Sequence, residues 1–251
     1  MSFFRTLGTT AQAMPREERR VLALEGRDVP LLIRRNDRAR RLTLRLEPGG
    51  KGLRLSVPPR VRRSEVDAFL FKHHDWVAER LRSLPAAPLV ELGAMVPIEG
   101  IPHRIEHSGR LRGTTKRIGG DPPTLLVSGP AERTGGRVVD WLKQKARERI
   151  AASIEHHTPT LGHHPTAVRV KDTRSRWGSC SSAGALSFSW RLAMAPPWVL
   201  DYLVAHEMAH LIHMNHGREF WALTHRLCPR MDEAKAWLKE EGQALHAYDF
   251  G

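Results

Sequence analysis

Three residues of one pentad, His206, Glu207 and His210 of His206-Glu207-Met208-Ala209-His210, and His216 beyond it have the types and spacing for metal-assisted hydrolysis. Histidines four apart on a helix lie one turn above another on the same face, so their imidazoles can converge on one ion. Zinc accepts neutral imidazole nitrogens at about 2.0 to 2.1 Å, and a catalytic site pairs three protein ligands with an open water position. Water on such an ion falls in pKa from 15.7 towards about 7. Glu207, about 100° round the helix from His206, can take the proton as general base without ligating the metal, then pass it to a leaving amine.

A third ligand is required. His213 is the nearest candidate, but seven residues of continuous helix put it roughly 10 Å from His206 along the axis. Nitrogens around one zinc ion lie within about 4 Å of each other. His216 qualifies if the helix stops before it and the chain reverses, and Asn215 and Gly217 supply the stop signal. A carboxylate from the following helix is the alternative, with Glu233 better placed than Glu219.

The pentad needs a helix under it. Pro196-Pro197 can start one, because a proline in the first turn gives up only an amide that would be orphaned anyway. From Trp198 to about Met214 nothing breaks it, with Val204, Met208 and Leu211 as a buried stripe and His206 and His210 on the opposite side. In a chain with 14 histidines a short motif can arise by chance. Its place on an apolar-periodic helix, followed by another His at a helix stop, argues for a metal site.

Upstream, Ala167 to Val170 and Ala185 to Trp190 read as two strands joined across the Gly- and Ser-rich turn between them. Gly136 to His156 reads as a helix, with Val139, Leu142, Ala146, Ile150 and Ile154 three or four apart. Residues 89 to 129 hold short β-prone runs broken by Gly and Pro, a hairpin-bearing elaboration of an earlier sheet. That sheet is a β-meander over residues 29 to 57, with Leu31 to Ile33, then Leu42, Leu44 and Leu46, then Leu53, Leu55 and Val57. Glu47 to Gly52 forms a turn, and the wet face carries Arg41, Arg45 and Arg54. Ser64 and Asp67 resemble a capping box, opening a helix of about four to five turns on Val66, Leu70, Val77 and Leu81, with Phe69 and Trp76 alongside; Pro85 and Pro88 end it. No internal repeat or low-complexity tract is visible.

The chain has 251 residues, 41% hydrophobic and 27% charged, the composition of a folding chain rather than a disordered one. No apolar run approaches the roughly 20 residues of a membrane-spanning helix, and the first residues lack a secretory h-region, so the expected compartment is the cytoplasm. Cys180 and Cys228 form no CxxC pair, which argues for two reduced thiols rather than a disulfide framework or thiolate zinc cage. The net charge is +13, of which residues 1 to 90 hold +9, from 19 basic and 10 acidic side chains. The arginines of 34–41 and 60–63 allow weak nucleic-acid association, but no aromatic residues interleave them for base stacking, which favours a solvated basic face.

Arg176-Trp177-Gly178-Ser179-Cys180, Leu192 with Ala195-Pro196, Val204-Ala205 leading into the pentad and Leu211, and Asn215-His216-Gly217-Arg218-Glu219-Phe220-Trp221 together resemble the YgjP-like metallopeptidases, a compact zincin group related in outline to SprT-like proteases. The likeness is strong over roughly residues 165 to 240 and looser over the basic start through Trp76. It implies one Zn2+ per chain on His206, His210 and His216, Glu207 as catalytic acid and base, and a peptide or protein substrate. It also implies that the strand near Trp177 walls the cleft, where an extended peptide could add as an edge strand. Metzincins share the histidine spacing but carry Gly where this chain has His213, and no Met-turn signature follows.

The fold expected is α+β. A possibly flexible extension (1–28) precedes a β-rich basic region with one helix (29–130). A compact zincin-like domain (131–251) follows, its active-site helix under a small mixed or antiparallel sheet. Arg176 and Trp177 are candidate substrate contacts, although Trp177 and Trp221 are better read as packing residues. Arg176, Tyr202, His213 and His225 are candidate oxyanion stabilisers, and Cys180 has no assigned base to make it a nucleophile. The leading reading is a zinc peptidase. Its rivals are a metal-dependent hydrolase of another substrate, such as nucleotide phosphates, and a nucleic-acid-associated protease or binding module.

Overall fold

A computed structural model describes residues 15–24, 26–47, 52–82, 88–173 and 176–251, and the chain divides into two compact units between residues 87 and 88. Residues 1–14 of the expected extension, 48–51 of the expected turn, and Pro85 lie outside the described residues.

The first unit contains strands β1 (Glu17–Leu24), β2 (Arg27–Arg35), β3 (Thr43–Leu46) and β4 (Leu53–Val57), then helices α1 (Arg63–Lys72) and α2 (His74–Arg82). Residues 17–24, placed by the sequence in an extension, thus form a strand whose Leu22 and Leu24 are buried. Its dense Glu and Arg masked the alternation. The strand order is β1-β2-β4-β3, with β2 and β4 parallel and the other pairs antiparallel. A crossover therefore replaces the expected meander. Leu53, Leu55 and Val57 are at most 1% exposed, so β4 takes the interior position and the half-buried β3 the edge. Val66, Leu70 and Val77 close the inner face.

The single helix expected here is interrupted at His73, whose ring Nδ1 lies 2.8 Å from the Phe69 carbonyl. Its start also differs, because Arg62 and Glu65 form the capping box in place of Ser64 and Asp67. Arg20 ties β1 to α1 by bonding Glu18 at 2.8 Å and Asp67 at 2.5 Å.

The second unit opens with β5 (Met95–Ile98), β6 (Ile101–His107), β7 (Lys116–Ile118) and β8 (Thr124–Val127), in the order β5-β6-β8-β7. This sheet repeats the strand senses of the first. Helix α3 (Thr134–Leu161) follows, then β9 (Ala167–Lys171), β10 (Gly178–Cys180) and β11 (Ala185–Ser189). Helices α4 (Pro197–Ala209), α5 (Arg218–Leu227), α6 (Met231–Glu240) and α7 (Gly242–Ala247) complete the chain. Val96, Ile98, Ile105, Leu125 and Val127 share one buried cluster with Leu142 and Ile150 of α3 and Val204 and Met208 of α4. Residues 88–130, grouped by the sequence with the N-terminal region, therefore pack with the C-terminal unit, because their apolar side chains find partners there.

β9 and β11 pair in parallel, so no tight turn can join them. The segment between them instead adds β10 antiparallel to β11, at the edge of a mixed sheet ordered β10-β11-β9. The architecture is α+β, and among the described residues no helix is long and apolar enough to cross a membrane.

Helix α4 is buried on nearly every side rather than along one stripe, with Val199, Tyr202, Val204, Ala205, Glu207 and Met208 all buried. Asp201 fixes it against α3. Its carboxylate accepts the Ser153 hydroxyl at 2.7 Å and lies 2.9 Å from His157 Nε2. Burial raises the Asp201 pKa, but bonds from His157 and Ser153 hold it below the usual carboxylate value.

Candidate metal centre

The pentad leaves α4 earlier than its sequence suggests. The helix ends at Ala209 with His210 as its cap, and amides 211 to 213 close tight turns onto Met208 and Ala209. His210 Nδ1 lies 2.9 Å from the His213 carbonyl. Donation to that carbonyl places the proton on Nδ1 and frees Nε2 as a lone-pair donor. His213 thus contributes its backbone, while its ring faces Glu219 at 3.8 Å.

The early stop lets the chain turn back before α5, bringing His216 to the other two rings. One nitrogen of each of His206, His210 and His216 lies within 4.8 Å of the others. The Nε2 atoms of His206 and His216 are 3.3 Å apart. Two nitrogens each about 2.05 Å from one ion at a tetrahedral angle are about 3.3 Å apart, so this spacing suits a shared zinc ion. Phe220 packs against all three rings, with centroids 4.9, 4.5 and 4.6 Å from His206, His210 and His216.

Electrostatics favour a cation between neutral imidazoles. Burial is the main cause lowering the His206 pKa to about 4, with His210, His216 and Lys235 adding to it. Burial also lowers His210. The Nδ1 atom of His206 is buried without a hydrogen-bond partner among the described residues. Neutral nitrogens converging with no carboxylate among them are the donor set zinc accepts. Glu233 is engaged by Arg230 at 2.7 Å on α6, and neither it nor Glu219 belongs to the histidine group.

Glu207 is 5% exposed. Burial raises its pKa to about 7, although Arg176 and the Cys180 backbone amide pull the other way. The carboxylate reaches β10 only because residue 178 is glycine. A Cβ there would lie 2.5 Å from Glu207 Oε1 and 2.7 Å from its Cγ. In the sequence Gly178 is only one member of a motif; the packing of β10 on α4 gives it a task.

The other candidates separate clearly. Arg176 is exposed beside β10 and acts electrostatically on Glu207. Trp177 is partly exposed and packs at a tilt against His246 with centroids 4.5 Å apart. Tyr202 is buried with its ring edge-on to His206, and burial pushes its hydroxyl up to about 12, so it remains a donor. His225 is exposed on α5 and makes none of the ring contacts joining the three histidines. Burial, with Glu207 adding to it, raises the Cys180 thiol, which disfavours a thiolate nucleophile. Sequence reasoning missed Phe220 as the common wall of the histidines, since an aromatic residue in a helix usually reads as core.

A family model described as YgjP-like, metallopeptidase domain, matches residues 40–241, and the chain belongs to that family. It is therefore a hydrolase of the metallopeptidase class. None of the curated proteins compared with the chain matches it. One solved structure, described as the metallopeptidase zymogen of Pyrococcus abyssi abylysin, aligns over 37% of this chain and 95% of its own, with 21% identity and a TM-score of 0.33.

Proposed function

We propose that the protein is a zinc peptidase in which His206, His210 and His216 hold one Zn2+ and Glu207 is the general base. The observation that carries this reading is the convergence of three imidazole nitrogens within 4.8 Å beside a buried carboxylate. A zinc ion held there would supply Lewis acidity towards a peptide carbonyl and an attacking water. Family membership supports a peptide or protein substrate.

Glu207 divides between its acid and base forms near neutral pH when its pKa is about 7. It can therefore accept a proton from the attacking water and return it to the leaving nitrogen, the balance general acid–base catalysis requires. Gly178 and the Cys180 amide hold its carboxylate in place. The edge position of β10 supports a substrate lying extended beside it, with Arg176 near the substrate's polar backbone.

Glu207→Gln keeps the side chain's shape and removes the base. Metal analysis should find one zinc per chain in both proteins, while turnover of an unfolded protein substrate falls by about 10²- to 10⁴-fold. A variant as active as wild type would refute the assigned role.

A further inference from the structure

The outward face of the N-terminal sheet carries a second concentration of chemistry. Thr43 pairs with Ser56 and Arg45 with Arg54 across β3 and β4, and strand alternation puts these four on the face away from Leu53 and Leu55. The turn between β2 and β3 brings Arg38, Arg40 and Arg41 beside them, and together they line a groove of about 480 Å³. Five of its nine described lining residues are arginines and none is a carboxylate. All five are exposed. Arg54 is paired with Glu47 at 3.0 Å, whereas Arg38, Arg40, Arg41 and Arg45 form no ion pair among the described residues. Asp37 lies in the same turn, and Glu17 faces Arg34 across β1 and β2.

We propose that this groove docks the phosphate backbone of duplex nucleic acid without regard to sequence. Guanidinium forks match pairs of phosphate oxygens, and a cluster of arginines most of which form no ion pair among the described residues gains most from a polyanion. No aromatic residue is among the described lining, since Phe69, Phe71 and Trp76 belong to the helices on the other face of the sheet. The stacking platform of single-strand binders is missing. A duplex presents one charge per about 1.7 Å of axis, twice the density of one strand, and suits a site that reads phosphates alone. The lining of Arg, Asn, Ser, Thr and Ala also lacks the large apolar side chains that anchor a protein in a bilayer.

The test is fluorescence anisotropy on the full chain with mixed-sequence DNA and RNA duplexes, single strands of the same sequence, polyglutamate and phosphatidylserine vesicles. If five phosphates are engaged, log K should fall with log salt at a slope of about −4.5, a loss of about 500-fold from 50 to 200 mM. The Arg40→Gln/Arg41→Gln/Arg45→Gln variant should reduce the slope to about −1.8 and that loss to about twelvefold. The control Arg27→Gln/Arg60→Gln/Arg62→Gln removes the same charge elsewhere in the unit and should leave the slope near its original value. Equal effects of the two variants, tighter binding to single strands, polyglutamate or vesicles, or no duplex binding at 50 mM salt would each overturn the proposal. The DNA and RNA arms identify which duplex is bound. None of these measurements requires metal or turnover, so failure here leaves the peptidase reading untouched.

Discussion

At the residue scale, the carboxylate and the imidazoles of the centre respond to burial in opposite senses. Burial, moderated by Arg176 and the Cys180 amide, raises Glu207 from 4.5 to about 7. In the metal-free fold an ionised Glu207 is therefore disfavoured, and the resulting loss of stability is absent below about pH 4.5 and grows as pH rises towards 7. His206, lowered by burial to about 4, has the reverse dependence, its loss growing as pH falls from 6.5. Glu207→Gln should accordingly stabilise the chelated protein by on the order of 2–3 kcal/mol at pH 8 and little at pH 5. Denaturant titration at the two pH values measures this. An equal gain at both would show that burial of the charge is not the cause. The spacing of His206, Glu207 and His210 was legible in sequence because four residues make about one helical turn. Glu207's depth was not, since burial depends on what packs over a helix.

At the scale of elements, the site depends on where α4 stops and on how closely β10 approaches it. The sequence predicts helix through about Met214, because no residue before Asn215 is a recognised breaker. The observed stop at His210 comes from contacts absent from propensity, including the His213 carbonyl facing the His210 ring. The earlier reversal brings His216 within reach and leaves His213's ring towards Glu219. The β10 approach gives a sharp prediction. Gly178→Ala places a Cβ 2.5 Å from Glu207 Oε1, so carboxylate and strand must separate. Turnover should fall by about 10- to 100-fold while zinc content stays at one per chain, in keeping with the loss that small misplacements of a catalytic group produce. Metal analysis and peptidase assays on one preparation check it, and unchanged turnover would remove Gly178 from the machinery.

At the scale of the whole molecule, the two units have separate apolar clusters, one around Leu31, Leu53 and Leu55 and one around Leu142, Phe188 and Val204. Calorimetry should resolve their responses. Leu55→Ala should weaken the first unit by about 2–5 kcal/mol without changing zinc content. Chelation should lower the transition of the second unit alone, because a ligand stabilises the state that binds it. A shift of both transitions on chelation would show energetic coupling between the units. The two four-stranded sheets share strand order and sense although no sequence repeat announces them.

The features legible in the chain alone are local. Helical spacing in the pentad, alternation in β4 and the apolar period of α3 are written in neighbouring residues, where covalent geometry sets the period. Packing set where α4 ends, with which unit residues 88–130 pack, how β10 comes to lie against Glu207, and which arginines share a groove. Apart from the end of α4, where the His213 carbonyl meets a ring only three residues away, each joins residues on different elements, so their proximity depends on packing rather than on local spacing. The histidine cluster stands between the two cases: its residue types and first spacing were legible, while the meeting of His216 with His206 and His210 waited on the chain's reversal.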